Sequence, residues 1–179
     1  MDSSSSTEAI KGGLIVGLIS IILTMLIYTI DISLMVDWKF SLGSFALSII
    51  LYSYFGKKYR DDHLEGFISF GDAFKFIFIA SIIGAILNGV FSILLFNFID
   101  PELPEILIEQ VLKNTESMME TFGAPAEEMD KALEQIENDM AGKFSVGGIL
   151  QGSWAWLLGA GLVSLICGAI IKKKRPEFE

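Results

Sequence analysis

The chain has 179 residues, 52% of them hydrophobic, and a mean hydropathy of +0.55, values of a membrane protein rather than a water-soluble domain. Its formal net charge of −9 falls entirely between Asp100 and Phe144, which hold twelve acidic residues and three lysines, while the remainder sums to zero. Basic residues scattered over spans and flanks exclude a nucleic-acid surface, and a single cysteine, Cys167, excludes an intrachain disulfide.

In chain order, Ser3–Ser6 reads as part of a flexible tail over residues 1–9, with Ser6 or Thr7 capping the first helix and Glu8 near its positive end. Four charge-free stretches follow: Gly12–Ile30, Phe40–Gly56, Phe76–Ile99 and Phe144–Ile171, of 19, 17, 24 and 28 residues. At about 1.5 Å per residue each crosses ~30 Å of hydrocarbon, the second only just. The first reads as a retained span rather than a cleaved leader, because its start is not basic, its apolar run is too long and Met35-Val36-Asp37 is a poor exit. The predicted fold is an all-α integral membrane protein. Helices one to three lie within residues 10–99, at about 10–31, 39–56 and 74–99, with an inner loop at 57–73. An acidic helical hairpin outside the membrane covers 100–143, a fourth membrane helix 144–172, and a basic tail 173–179.

Charge placement orients the bundle. With the N-terminus in the cytoplasm and four crossings, Lys11, Lys57, Lys58, Arg60, Lys75, Lys172, Lys173, Lys174 and Arg175 lie inside. Only Lys39, Lys113, Lys131 and Lys143 lie outside, in keeping with the positive-inside rule. Trp38 then follows the first span, and Tyr52, Tyr54 and Tyr59 gather at the inner end of the second, at headgroup level or packed in the bundle. Gly13, Gly17, Ser20 and Thr24 share a face of the first helix, and Ala85 with Gly89 one of the third. The fourth repeats the spacing at Gly148/Gly152, Ala155/Gly159 and Ala160/Ser164/Gly168, so close backbone packing is expected. Asn88, near the middle of span three, is the only carboxamide well inside a span, and Gln151 lies nearer the outer end of span four; each is expected to bond another helix, with substrate contact as the lesser reading. No Asp, Glu, Lys, Arg or His sits in mid-span, which argues against a coupled transporter.

The acidic segment alternates apolar and charged positions at helical spacing. Leu107, Val111, Met118 and Phe122, with Ile108, Leu112, Thr115 and Met119 beside them, make one stripe; Met129, Ala132, Leu133, Ile136 and Met140 make another. Gly123 stops the first helix and Pro125 starts the second. Glu127, Asp130, Glu134 and Glu137 read as a solvated face, since no calcium-loop spacing accompanies them. His63 beside Asp61 and Asp62 reads as exposed rather than metal-binding. Met118, Met119, Met129 and Met140 are the candidate partner surface. No nucleophile–base pair, phosphate loop or zinc spacing is present, so no catalytic, cofactor or metal site is expected.

The segment Tyr59-Arg60-Asp61-Asp62-His63-Leu64-Glu65-Gly66-Phe67-Ile68-Ser69-Phe70-Gly71-Asp72-Ala73-Phe74-Lys75, with Asp100-Pro101-Glu102 and Ile170–Pro176, resembles the domain-of-unknown-function family four-one-nine-nine. These are small four-span membrane proteins, mostly of Bacteroidota, and the resemblance runs from about Glu8 to Arg175. It implies a bacterial inner membrane with the acidic hairpin in the periplasm, and supplies no functional residues. Phe67, Phe70, Phe74 and Phe78 around Ser69 and Asp72 predict a segment lying along the inner interface before span three. Arg60, Lys75, Lys172, Lys173, Lys174 and Arg175 are candidate lipid-headgroup contacts. The expected role is a non-enzymatic interaction or accessory protein of the membrane. Its expected partners are lipids and a membrane or periplasmic protein or a second copy. The alternative is a small-molecule or lipid carrier with a polar patch at Asn88.

Overall fold

A computed structural model of the chain describes residues 3–175, so residues 1–2 and positions 176–179 of the expected basic tail lie outside it. The described residues are all-helical: α1 Ser3–Ile30, a 3₁₀ turn Ile32–Val36, α2 Trp38–His63, α3 Phe70–Leu94 continuing as a π-helical turn Leu95–Ile99, α4 Leu103–Thr121, α5 Ala126–Met140, α6 Val146–Gly152 and α7 Trp154–Ile171. Three segments are long and apolar enough to cross a membrane: Ser4–Ile30, Phe70–Ile99 and Trp154–Ile171. Helix α2 is 26 residues long. It misses that hydropathy because its charge-free part carries Ser41, Ser44, Ser48 and Ser53, two tyrosines and two glycines.

The chain forms two compact units, the first taking in residues up to Leu23, Leu42–Asn88 and everything from Ser153, the second Thr24–Ser41 and Gly89–Gly152. In the first unit α1 and α3 run in one direction. A side chain on Gly13 would collide with the Ala80 carbonyl, and one on Gly17 would sit 3.2 Å from the Gly84 Cα. Small residues thus let the two backbones touch, which replaces the hydrophobic drive that lipid does not supply. The partners on α3 are Ala80 and Gly84. Helix α2 runs opposite to α1, Phe55 lying 3.5 Å from a Cβ on Gly12, and Gly56 faces Ile171 of α7 and Ile77 of α3. Helix α7 follows the direction of α2: Cys167 Sγ approaches the Ile49 carbonyl at 3.6 Å, and Arg60 Nη1 donates to the Ile171 carbonyl at 3.0 Å.

The face of α7 that turns inward is Ala160, Val163, Ser164, Cys167, Gly168 and Ile171, all buried, whereas Gly152 and Gly159 have open space beside them. Its outward face is Leu157, Leu158, Leu162, Leu165 and Ile170, at 47–65% exposure.

The second unit closes over Leu95, Leu103 and Leu107, with Tyr28, Met35, Phe91 and Phe144 packed against them. Asp100 organises it. Its Oδ1 accepts from the backbone N–H groups of Glu102 and Leu103, bracing the turn into α4, while its Oδ2 accepts from the Tyr28 hydroxyl at 2.9 Å. Asn97 in the π turn donates to the carbonyls of Ile93 and Phe144. Gly123 takes φ +71 after α4, and Pro125 sits directly before the first residue of α5, the two helices lying in contact.

Three expectations are corrected, and the two readings left open for the α2 tyrosines are decided. Ser3–Ser6 is the first turn of α1 rather than a flexible tail, because Ser5 and Ala9 are buried in the first unit and packing outweighs the poor helix propensity of serine. Tyr52 and Tyr59 are core residues at 6% and 8% exposure; only Tyr54 and Trp38 stand out at the surface. The span expected over 144–172 is two helices broken at Gly152-Ser153, where a glycine–serine pair favours a turn over continued helix. The loop expected over 57–73 shrinks to 64–69, since α2 continues to His63 and α3 begins at Phe70.

Candidate functional site

The first unit has one end where the opening turns of α1 and α3 meet the closing turns of α2 and α7. All nine basic residues assigned to the inner side lie in these turns or beside them. Arg60 lies innermost, its side chain 15% exposed. It caps the last carbonyl of α7, that of Ile171, and pairs with Asp61 at 2.8 Å, so its guanidinium holds the Asp61 carboxyl below the usual carboxylate range. Ser69 caps α3: its Oγ accepts from the Asp72 N–H and donates to the Asp72 carboxylate at 2.7 Å, a reciprocal cap. The segment before α3 is tied to the end of α7 by paired backbone bonds between Ile68 and Lys173, 3.0 Å each way.

The candidate headgroup residues therefore divide. Arg60 is a helix cap, Arg175 pairs with Glu65 at 2.7 Å, and the Lys173 ammonium lies 5.4 Å from the Phe67 ring centre. Lys75, Lys172 and Lys174 are exposed. Phe70, Phe74 and Phe78 do not form a separate interfacial segment; they run up α3 with ring centres 6.4 and 5.8 Å apart.

Asn88 Nδ2 donates to the Gly84 carbonyl at 2.9 Å and to the Gly17 carbonyl of α1 at 3.4 Å, so this amide ties α3 to α1. Gln151 is exposed on α6, in the other unit. Of the methionines, Met118 is 56% exposed, while Met119, Met129 and Met140 are half-buried along the stripes of α4 and α5. Phe122, at 82%, stands beside Met118 in sequence as the most exposed large apolar residue at the end of α4. Glu127, Asp130, Glu134 and Glu137 are all exposed, Glu127 pairing with Lys131 at 2.6 Å. No group of three metal-ligating side chains occurs among the described residues.

Sequence spacing did not reveal a cleft of about 140 Å³ between α1 and α2. Glu8, Lys11 and Ile15 of α1 face Phe55, Lys58 and Asp62 of α2, with His63 at the rim and Phe76 of α3 behind. Each helix contributes residues three and four apart, a stripe legible locally; their pairing across some fifty residues is not.

Residues 11–173 match the family described as a protein of unknown function, DUF4199. The chain belongs to that family, the one its sequence resembles. No curated protein and no solved structure matches the chain.

Proposed function

We propose that the chain is a four-span protein of the bacterial inner membrane with both termini in the cytoplasm. In this reading α4 and α5 stand in the periplasm as a docking element for a membrane or periplasmic protein or a second copy, without catalytic chemistry. The observation that carries the topology is the shared direction of α1 and α3: two parallel spans need a return crossing between them, and α2 runs antiparallel along both. The gathering of nine basic residues at one end agrees with a cytoplasmic face there. Half-burial of the Asn88 amide between two carbonyls favours helix packing over the carrier reading.

Cysteine labelling tests the topology. Native Cys167 is buried. An impermeant maleimide applied to intact cells therefore labels Ser117→Cys and not Lys174→Cys, while lysed cells label both. Labelling of Lys174→Cys in intact cells reverses the orientation. Docking is tested by removing residues 102–141: loss of co-purifying protein is expected, and full retention sinks the role given to α4 and α5.

A further inference from the structure

The cleft between α1 and α2 grades from charge to hydrocarbon along two helical turns. At its outer end stand two cations, Lys11 and Lys58, two carboxylates, Glu8 and Asp62, and the His63 imidazole. One pair is already made, Lys11 to Glu8 at 2.7 Å, and Lys58 and His63 lie near enough to act on the same carboxylate. Inward the walls become Ile15 and Phe55, where α1 and α2 close on each other at Gly12. Ile15 is 44% exposed, so the apolar part opens toward the bundle's outer surface rather than into its core. One wall is fixed by stacking: the Tyr59 ring lies 4.5 Å from Phe76 and 5.4 Å from His63, centre to centre. At about 140 Å³ the space suits a headgroup, well below the ~300 Å³ of sites that enclose whole small molecules.

Charges of both signs beside an apolar exit are complementary to a zwitterion carrying an acyl chain. An anionic headgroup would meet two carboxylates here, and the tail lysines of α7 are the better attractant for it. We propose that this cleft binds a zwitterionic aminophospholipid, Lys58 and Lys11 holding the phosphodiester, Asp62 and Glu8 the primary ammonium, and the acyl chain passing along Ile15 and Phe55. A primary ammonium donates hydrogen bonds to the carboxylates, which a quaternary choline does not, so the site separates the two headgroups. The inference rests on the membrane reading above.

The test uses the full chain purified in mild detergent, with lipid retention measured by native mass spectrometry. Phosphatidylethanolamine, phosphatidylcholine and phosphatidylglycerol are offered at equal concentration. Preferential retention of phosphatidylethanolamine is expected, and Lys58→Ala and Asp62→Ala each lower it about fivefold, the worth of one charge near the membrane surface. Lys113→Ala, the loss of one lysine charge on α4 in the second unit, leaves it unchanged. All the altered residues are exposed, and circular dichroism checks that helix content holds. Equal retention of phosphatidylglycerol with no effect of Asp62→Ala overturns the zwitterion assignment. Equal competition by soluble phosphoethanolamine overturns the lipid, leaving a site for a small phosphomonoester. Failure of the membrane reading shows separately, as a chain that stays folded and monomeric once detergent is removed.

Discussion

Helices α7 and α5 are built from the same chemistry turned inside out. Helix α7 buries Ala160, Ser164, Cys167 and Gly168 and presents leucines outward; α5 presents Glu127, Asp130, Glu134 and Glu137 outward and keeps Met129, Leu133, Ile136 and Met140 half-buried. A helix in water hides its apolar stripe because exposure costs about 25 cal/mol per Å². A helix in lipid gains nothing by hiding leucine, so its inner face is chosen for close fit. The difference marks two solvents within one chain, and it does so without reference to any single site.

The largest expected effect breaks this contrast directly. Leu162→Lys, on the 52%-exposed outer face of α7, should cost about 3 kcal/mol in lipid, whereas Gln135→Lys on the exposed face of α5 should stay within about 0.5 kcal/mol. Unfolding of both variants in bilayer-mimicking detergent decides it; equal effects would mean the two faces see one solvent. Next, Gly13→Ala should cost about 2 kcal/mol, because its methyl meets the Ala80 backbone carbonyl and α1 must shift from α3. The matching change Gly43→Ala on α2, with nothing within 4 Å, should be neutral or stabilising by up to about 1 kcal/mol. Thermal midpoints of the pair measure how far small residues govern the fit. The smallest effect sharpens the water-facing side: Asp100→Ala removes the brace on the turn into α4 and the Tyr28 contact, a loss of about 1.5 kcal/mol. Protease sensitivity of α4 should rise while that of the first unit is unchanged.

Much of this pattern was legible in the residues. Charge-free runs located α1, α3 and α7, because absence of charge over a membrane's width is a requirement of solvation and is written locally. The stripes of α4 and α5 were legible for the same reason, except at Met118 and Phe122, which stay exposed. What failed was decided by partners distant in sequence. Ser5 enters a helix because other elements bury it, and of the two readings open for Tyr52 and Tyr59 the core is selected by contacts with α3 and α7 that spacing along α2 does not encode. The partner of the Gly13/Gly17 face, Ala80 and Gly84 of α3, was not legible, since several small residues recur there and only register selects among them. Helix α2 was the marginal span in sequence and remains the one whose hydropathy is too low to qualify alone. The cleft at Glu8 and Asp62 exists only through the antiparallel pairing of α1 with α2.

That pairing has an electrical result. Two helices start and two finish at the end where Arg60 meets the Ile171 carbonyl, so the half-positive amide ends of α1 and α3 stand beside the half-negative carbonyl ends of α2 and α7. The backbone fields offset one another pairwise. What approaches that surface senses chiefly the ionised side chains, so its potential follows the exposed lysines there, whereas Arg60 is also tied to the end of α7.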